Sequence, residues 1–76
     1  MDLRDVFAAN LRRLRNEKGL SQEELADVAS INRTYVSKLE TGATWAGLEI
    51  IAKLAKALAV EPAELFRRPT RRARLR

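Results

Sequence analysis

Gln22-Glu23-Glu24-Leu25-Ala26-Asp27-Val28-Ala29-Ser30-Ile31-Asn32-Arg33-Thr34-Tyr35-Val36-Ser37-Lys38-Leu39-Glu40 contains two short helices with almost nothing between them. Ser21 precedes the stretch and pairs with Glu24 in the pattern of a capping box: the serine hydroxyl accepts from the N3 amide and the N3 carboxylate reaches back. Leu20 before that cap and Leu25 after it are placed as a hydrophobic staple. The spacing predicts a helix over about 22–29. Asn32 is a second N-cap, with Ile31 and Val36 in the staple positions of a helix over about 33–41 that Gly42 closes. Ser30, Ile31 and Asn32 are too few to join antiparallel helices through a full loop, and they suit a sharp corner. Ala26 is small, as close approach of a steeply crossing helix requires. Leu25, Ile31, Val36 and Leu39 then face inward, leaving Arg33, Thr34, Ser37 and Lys38 outward.

Upstream, Leu3, Phe7, Leu11 and Leu14 form one stripe of an amphipathic helix over about 3–18, with Arg4, Arg12, Arg13 and Asn16 on its other faces. Lys18 followed by Gly19 is a C-terminal signal. Downstream of a looser stretch from Ala43 to Gly47, a fourth helix is predicted. Its core stripe is Leu48, Ile51, Ala52, Ala55 and Leu58, and Ile50 and Leu54 make a second apolar line. Pro62 suits the first position of a fifth, short helix, with Val60 and Leu65 as a third staple. Pro69 disfavours helical geometry at Arg68, so 69–76 reads as a flexible basic tail. The expectation is an all-α, compact five-helix domain over 1–68, followed by that tail.

Composition bounds the chemistry. The chain has 76 residues with no cysteine and no histidine, which removes disulfides, thiolate metal sites and the commonest general base. No nucleotide-binding glycine pattern is present either, so no enzyme activity, metal or cofactor is expected. Lys and Arg number 15 against 10 Asp and Glu, a net charge of +5 that points to a polyanionic partner. The surplus is local: residues 67–76 hold six arginines and no acid, which leaves nine bases and ten acids in 1–66, a net of −1. The apolar run Ala57-Leu58-Ala59-Val60 is far below the roughly 20 residues of a membrane span. Asp2 and Asp5 stand where a secretory signal is basic and then apolar, so a cytoplasmic, nucleoid-associated location is expected.

Leu11-Arg12-Arg13-Leu14-Arg15, Gly19-Leu20-Ser21-Gln22-Glu23-Glu24-Leu25-Ala26, Tyr35-Val36-Ser37-Lys38-Leu39-Glu40-Thr41-Gly42 and Leu54-Ala55-Lys56-Ala57-Leu58, in this order and spacing, resemble the Cro/cI-like (XRE) family of prokaryotic DNA-binding domains. The resemblance runs from about Phe7 to Leu65 and implies a lambda-repressor-like domain whose second and third helices form a helix-turn-helix. It implies a phosphate anchor at Gln22, with Ser21, Tyr35 and Thr41 as further phosphate candidates. Base reading falls to Arg33, Thr34 and Lys38, flanked by Asn32 and Ser37. Arg15 and Glu40 occupy positions that pair as buried ions in many relatives. Arg33-Thr34-Tyr35-Val36-Ser37 is also similar to restriction–modification controller proteins. Two departures stand out: Ser30 occupies a turn position that is usually glycine, and Ala46-Gly47 replaces a frequent Pro-Ser before the fourth helix.

The resulting expectation is a transcriptional regulator that binds double-stranded DNA as a homodimer, with residues 33–41 in the major groove. Ile50, Leu54, Leu65 and Phe66 exceed the needs of a small core and are the candidate dimer interface. Tyr35 admits both a phosphate contact and a packed ring, while Trp45 admits a core lid, a dimer contact or a DNA-backbone contact. No small-molecule ligand and no membrane partner is expected. The rival readings are an autorepressing antitoxin, a protein-interaction module that has lost DNA binding, and a binder of acidic membranes through the arginine tail.

Overall fold

The computed structural model describes residues 2–68, and the basic tail expected over 69–76 lies outside the described residues. Four α-helices follow one another: α1 (Leu3–Glu17), α2 (Gln22–Ala29), α3 (Arg33–Glu40) and α4 (Leu48–Leu58). No strand occurs among the described residues. α2 and α3 are capped as the sequence indicates, and Asp2 supplies a cap for α1 that the sequence reading did not name. Asp2 accepts the Arg4 N–H at 2.7 Å, and that backbone hydrogen bond, with the Arg4 guanidinium beside it, holds the Asp2 carboxyl below the usual carboxylate range. Glu24 N–H donates to Ser21 Oγ at 3.0 Å while Ser21 N–H donates to Glu24 Oε1 at 2.8 Å, the full capping box. Asn32 Oδ1 accepts the Thr34 N–H at 2.7 Å. Gly47 caps α4 without a side-chain bond.

The helix ends share one device. Gly19, Ser30, Gly42 and Ala59 are left-handed, with φ of 71°, 59°, 75° and 58°. In each case the N–H of the following residue reaches back across the last turn: Leu20 to Arg15 O at 3.1 Å, Ile31 to Ala26 O at 2.9 Å, Ala43 to Lys38 O at 2.9 Å, and Val60 to Ala55 O at 3.0 Å. This is the Schellman closure. Leu20, Ile31 and Val60 thereby fold back onto the core, so each residue placed as a staple for the next helix also closes the one before. Ser30 takes the conformation a glycine would take, so the corner between α2 and α3 keeps its shape despite the substitution.

Two expectations are corrected. Among the described residues there are four α-helices, not five: Pro62–Phe66 is a 3-10 segment. Its Glu64 N–H bonds the Glu61 carbonyl three residues back, and the Asn10 amide takes the Leu65 and Arg67 carbonyls at 3.0 and 2.8 Å. Those carbonyls are satisfied from α1, and the chain runs extended at Arg67 (φ −70°, ψ 123°). In α4 the enclosed face is Leu54, Ala55 and Leu58 with Ile51 partly buried, whereas Leu48 is 85% exposed and Ala52 is exposed. Leu48 sits in the first turn, beyond the edge of the core that α4 covers. The core itself joins Phe7, Leu11 and Leu14 to Leu25, Val36, Leu39, Leu54, Leu58 and Leu65, with Ala26 and Ala29 where α2 meets its neighbours.

Candidate nucleic-acid interface

α3 turns Val36, Leu39 and Glu40 inward and leaves Arg33, Thr34 and Lys38 outward, with Ser37 at the edge of the same face. The start of α2 lies against this face. Gln22, Arg33, Thr34 and Ser37 line one shallow hollow of about 180 Å³, so the structure brings the expected phosphate anchor beside three expected base readers. Lys38 lies further round the same helix, and Asn32 is exposed at its start with Oδ1 already engaged as the cap. All four residues that line the hollow are polar and Arg33 brings a positive charge to it, a surface suited to phosphates and base edges.

Beneath it lies a buried polar hub. Glu40 is 2% exposed, and Arg15 grips it with Nε to Oε2 at 2.6 Å and Nη2 to Oε1 at 3.1 Å. Arg15 Nη1 also donates to Leu20 O at 2.7 Å, so one guanidinium joins α1, the α1–α2 turn and the end of α3. Arg12, which the sequence places on an open face, donates to the Glu40 carbonyl and satisfies that late helix carbonyl. Gln22 Nε2 donates to Glu40 Oε1 at 3.0 Å. One of the two Gln22 N–H groups is therefore turned inward, and only the second remains for a phosphate.

Of three further candidates, two have their hydroxyl protons committed within the chain and one does not. Tyr35 OH donates to Trp45 O at 3.0 Å and its ring packs against the core, so the packed-ring reading describes its place here. Thr41 Oγ1 donates to Lys38 O at 3.1 Å. Ser21 Oγ accepts in the capping box, which leaves its hydroxyl proton for an outside acceptor. Trp45 is no core lid: it is 59% exposed, with the Arg4 guanidinium carbon 5.0 Å from the ring centroid.

The expected dimer patch needs revision. Leu54 and Leu65 are 0% exposed and have no surface to give a second copy, whereas Ile50 and Phe66 are half-buried. Sequence reasoning missed the cleft of about 200 Å³ that Phe66 shares with Leu3, Phe7, Trp45 and Ile51. It also missed Asn10, which is 7% exposed. A signal for Asn10 was present: it lies three residues after Phe7 and four before Leu14, inside the apolar stripe. Among the described residues no acid, cysteine or histidine cluster suits a metal, and no helix is long and apolar enough to cross a membrane.

The fold and this surface define a helix-turn-helix domain, and comparison with known proteins agrees. The family profile described as Helix-turn-helix matches residues 11–65, and the chain belongs to that family. A Neisseria hypothetical transcription factor from Neisseria meningitidis serogroup B is 45% identical over 74 residues, covering 97% of this chain and 70% of that protein. The crystal structure of the restriction–modification controller protein C.AhdI from Aeromonas hydrophila superposes with a TM-score of 0.81 at 48% identity, covering 83% of this chain and 96% of that one. The controller protein C.Esp1396I, crystallised as a tetramer with its natural 35 base-pair operator, gives a TM-score of 0.78 at 27% identity over 87% of each chain.

Proposed function

We propose that this chain is a sequence-specific double-stranded DNA-binding transcriptional regulator of the restriction–modification controller kind, working in the cytoplasm where its operator is. The observation that carries the reading is the polar face of α3 set beside the start of α2, in a chain 48% identical to a controller protein. α3 enters the major groove; Arg33, Thr34, Ser37 and Lys38 meet base edges, and the start of α2 meets a phosphate. The capture of C.Esp1396I as a tetramer on its operator supports an assembly of several copies. One α3 reads only a few base pairs, whereas a two-fold pair reads half-sites about 34 Å apart.

The pairing surface we assign is the apolar rim of the Trp45 cleft. Leu3 and Trp45, 41% and 59% exposed, line that cleft with the half-buried Phe66, and we extend the surface to Leu48, 85% exposed, and the half-buried Ile50 in the first turn of α4. Exposed apolar residues grouped in this way mark an interface more often than scattered ones do. Enrichment of bound duplexes from random DNA, followed by shift assays at two salt concentrations, tests the function. A two-fold-related consensus is expected, and equal binding to all sequences would remove the regulator reading.

A further inference from the structure

We infer that Glu40 is a positioning residue for DNA contact: its buried carboxylate fixes the Gln22 side chain, so the Arg15–Glu40 pair serves recognition as well as folding. The inference rests on the reading above that Gln22 and α3 meet DNA.

An ion pair that only tied α1 to the end of α3 would be complete with the two Arg15 bonds. Glu40 makes a third. Its Oε1 accepts from Arg15 Nη2 at 3.1 Å and from Gln22 Nε2 at 3.0 Å, while Oε2 takes Arg15 Nε at 2.6 Å. The guanidinium supplies the counter-charge that lets a carboxylate lie 2% exposed, and the spare acceptor capacity of Oε1 goes to the one glutamine in the chain. An ionised carboxylate only accepts, so it selects the Gln22 rotamer and amide orientation that points Nε2 at it. The reverse orientation would set two oxygens against each other. Because nitrogen and oxygen share one planar amide, fixing the nitrogen also fixes where the second N–H and the oxygen stand at the hollow lined by Arg33, Thr34 and Ser37. A glutamine free in solvent would have to be ordered when DNA arrives, at an entropic cost to affinity. Here the ordering is done in advance by a group that touches no DNA.

The test uses the full chain and a duplex that the wild-type protein has enriched from a random pool. Replacing the pair by apolar residues, Arg15→Met with Glu40→Leu, removes the carboxylate without stranding a buried charge, an exchange that buried ion pairs often tolerate. Affinity is measured where circular dichroism finds every variant folded. The paired replacement is expected to weaken binding about tenfold, which corresponds to about 1.4 kcal/mol. Gln22→Ala alone is expected to do the same, and the triple variant to lose no more than either. If the paired replacement binds like wild type, or if its loss multiplies with that of Gln22→Ala, the inference is wrong. A second measurement needs no variant: side-chain amide relaxation of Gln22 in the DNA-free protein should approach a rigid backbone order parameter of about 0.85. Mobility equal to that of the exposed Asn16 amide would overturn the inference on its own. Should the wild-type chain enrich no sequence, both the regulator reading and this one fall. Should it bind selectively while the paired replacement binds equally well, only the role of Glu40 falls.

Discussion

Arg33 is exposed at the first position of α3, on the rim of the hollow that Gln22 shares with Thr34 and Ser37. A guanidinium there offers a rigid fork of donors that matches the acceptor pair on a guanine edge. Arg33→Ala is expected to cost about 1–3 kcal/mol for the preferred base at one operator position and to leave discrimination elsewhere intact. Shift assays on duplexes altered one base pair at a time will read this, with the outlying Lys56→Ala as a control that changes neither. The outward set Arg33, Thr34, Ser37 and Lys38 was legible in the sequence because helical periodicity and two caps fix which residues share a face. The bonds of Gln22 and Tyr35 were not. A side-chain amide or hydroxyl can turn in or out on the same backbone, and its direction depends on acceptors such as Glu40 Oε1 and Trp45 O that a helical wheel does not show.

Among the elements, the four helix ends make the sharpest test. Ser30 and Ala59 are held at φ of 59° and 58°, a region that costs a residue with a Cβ about 1–2 kcal/mol relative to glycine. Ser30→Gly and Ala59→Gly are each expected to stabilise the fold by up to about 1 kcal/mol once the greater unfolded-state freedom of glycine is subtracted. In a domain of this size that raises Tm by roughly 4–8 °C per kcal/mol. Gly42→Ala is expected to do the opposite. Its φ is 75°, and a Cβ there would stand 2.8 Å from Asp5 Oδ1 at the start of α1. Thermal unfolding of the three variants should separate them in sign. If all three lowered Tm, the account of the turns would fail. The ends of α1, α2 and α3 were readable because each closure joins residues within a turn and a half of one another. The 3-10 geometry of Pro62–Phe66 was not readable, because the Asn10 amide that takes the Leu65 and Arg67 carbonyls lies 55 and 57 residues away.

For the whole molecule, the proposed pairing surface and the affinity for a polyanion can each be tested. Leu48→Glu places a charge in the first turn of α4, three residues beyond Trp45, while leaving the core intact, since Leu48 is 85% exposed. It is expected to shift the assembly toward single chains in sedimentation with little change in Tm. An unaltered assembly would place the interface elsewhere. The helical body through residue 66 carries a net charge of −1, so it attracts DNA through placed groups and not through its total charge. Removing 69–76 takes away four arginines. If the tail runs along phosphate, the magnitude of the salt slope should fall by about 0.9 for each phosphate that is no longer neutralised, and the order of preference among duplexes should stay as it was.

The sequence alone determined the helix starts, the turns and the polar face of α3, because caps, Schellman closures and periodicity are local and each residue carries its own share of the instruction. The +5 charge was a poorer guide, being an average over two unlike regions. Tertiary structure decided the rest. α4 carries two apolar lines, and the buried face takes Ala55 and Leu58 from one and Leu54 from the other. Packing against α2 and the 3-10 segment enclosed Leu54 and Leu58 and left Leu48 in solvent. In the same way, Glu40 holds Gln22 from 18 positions away and Arg15 from 25. Burying a carboxylate at that junction obliges the donors nearby to turn toward it, and only the assembled fold determines which donors are near.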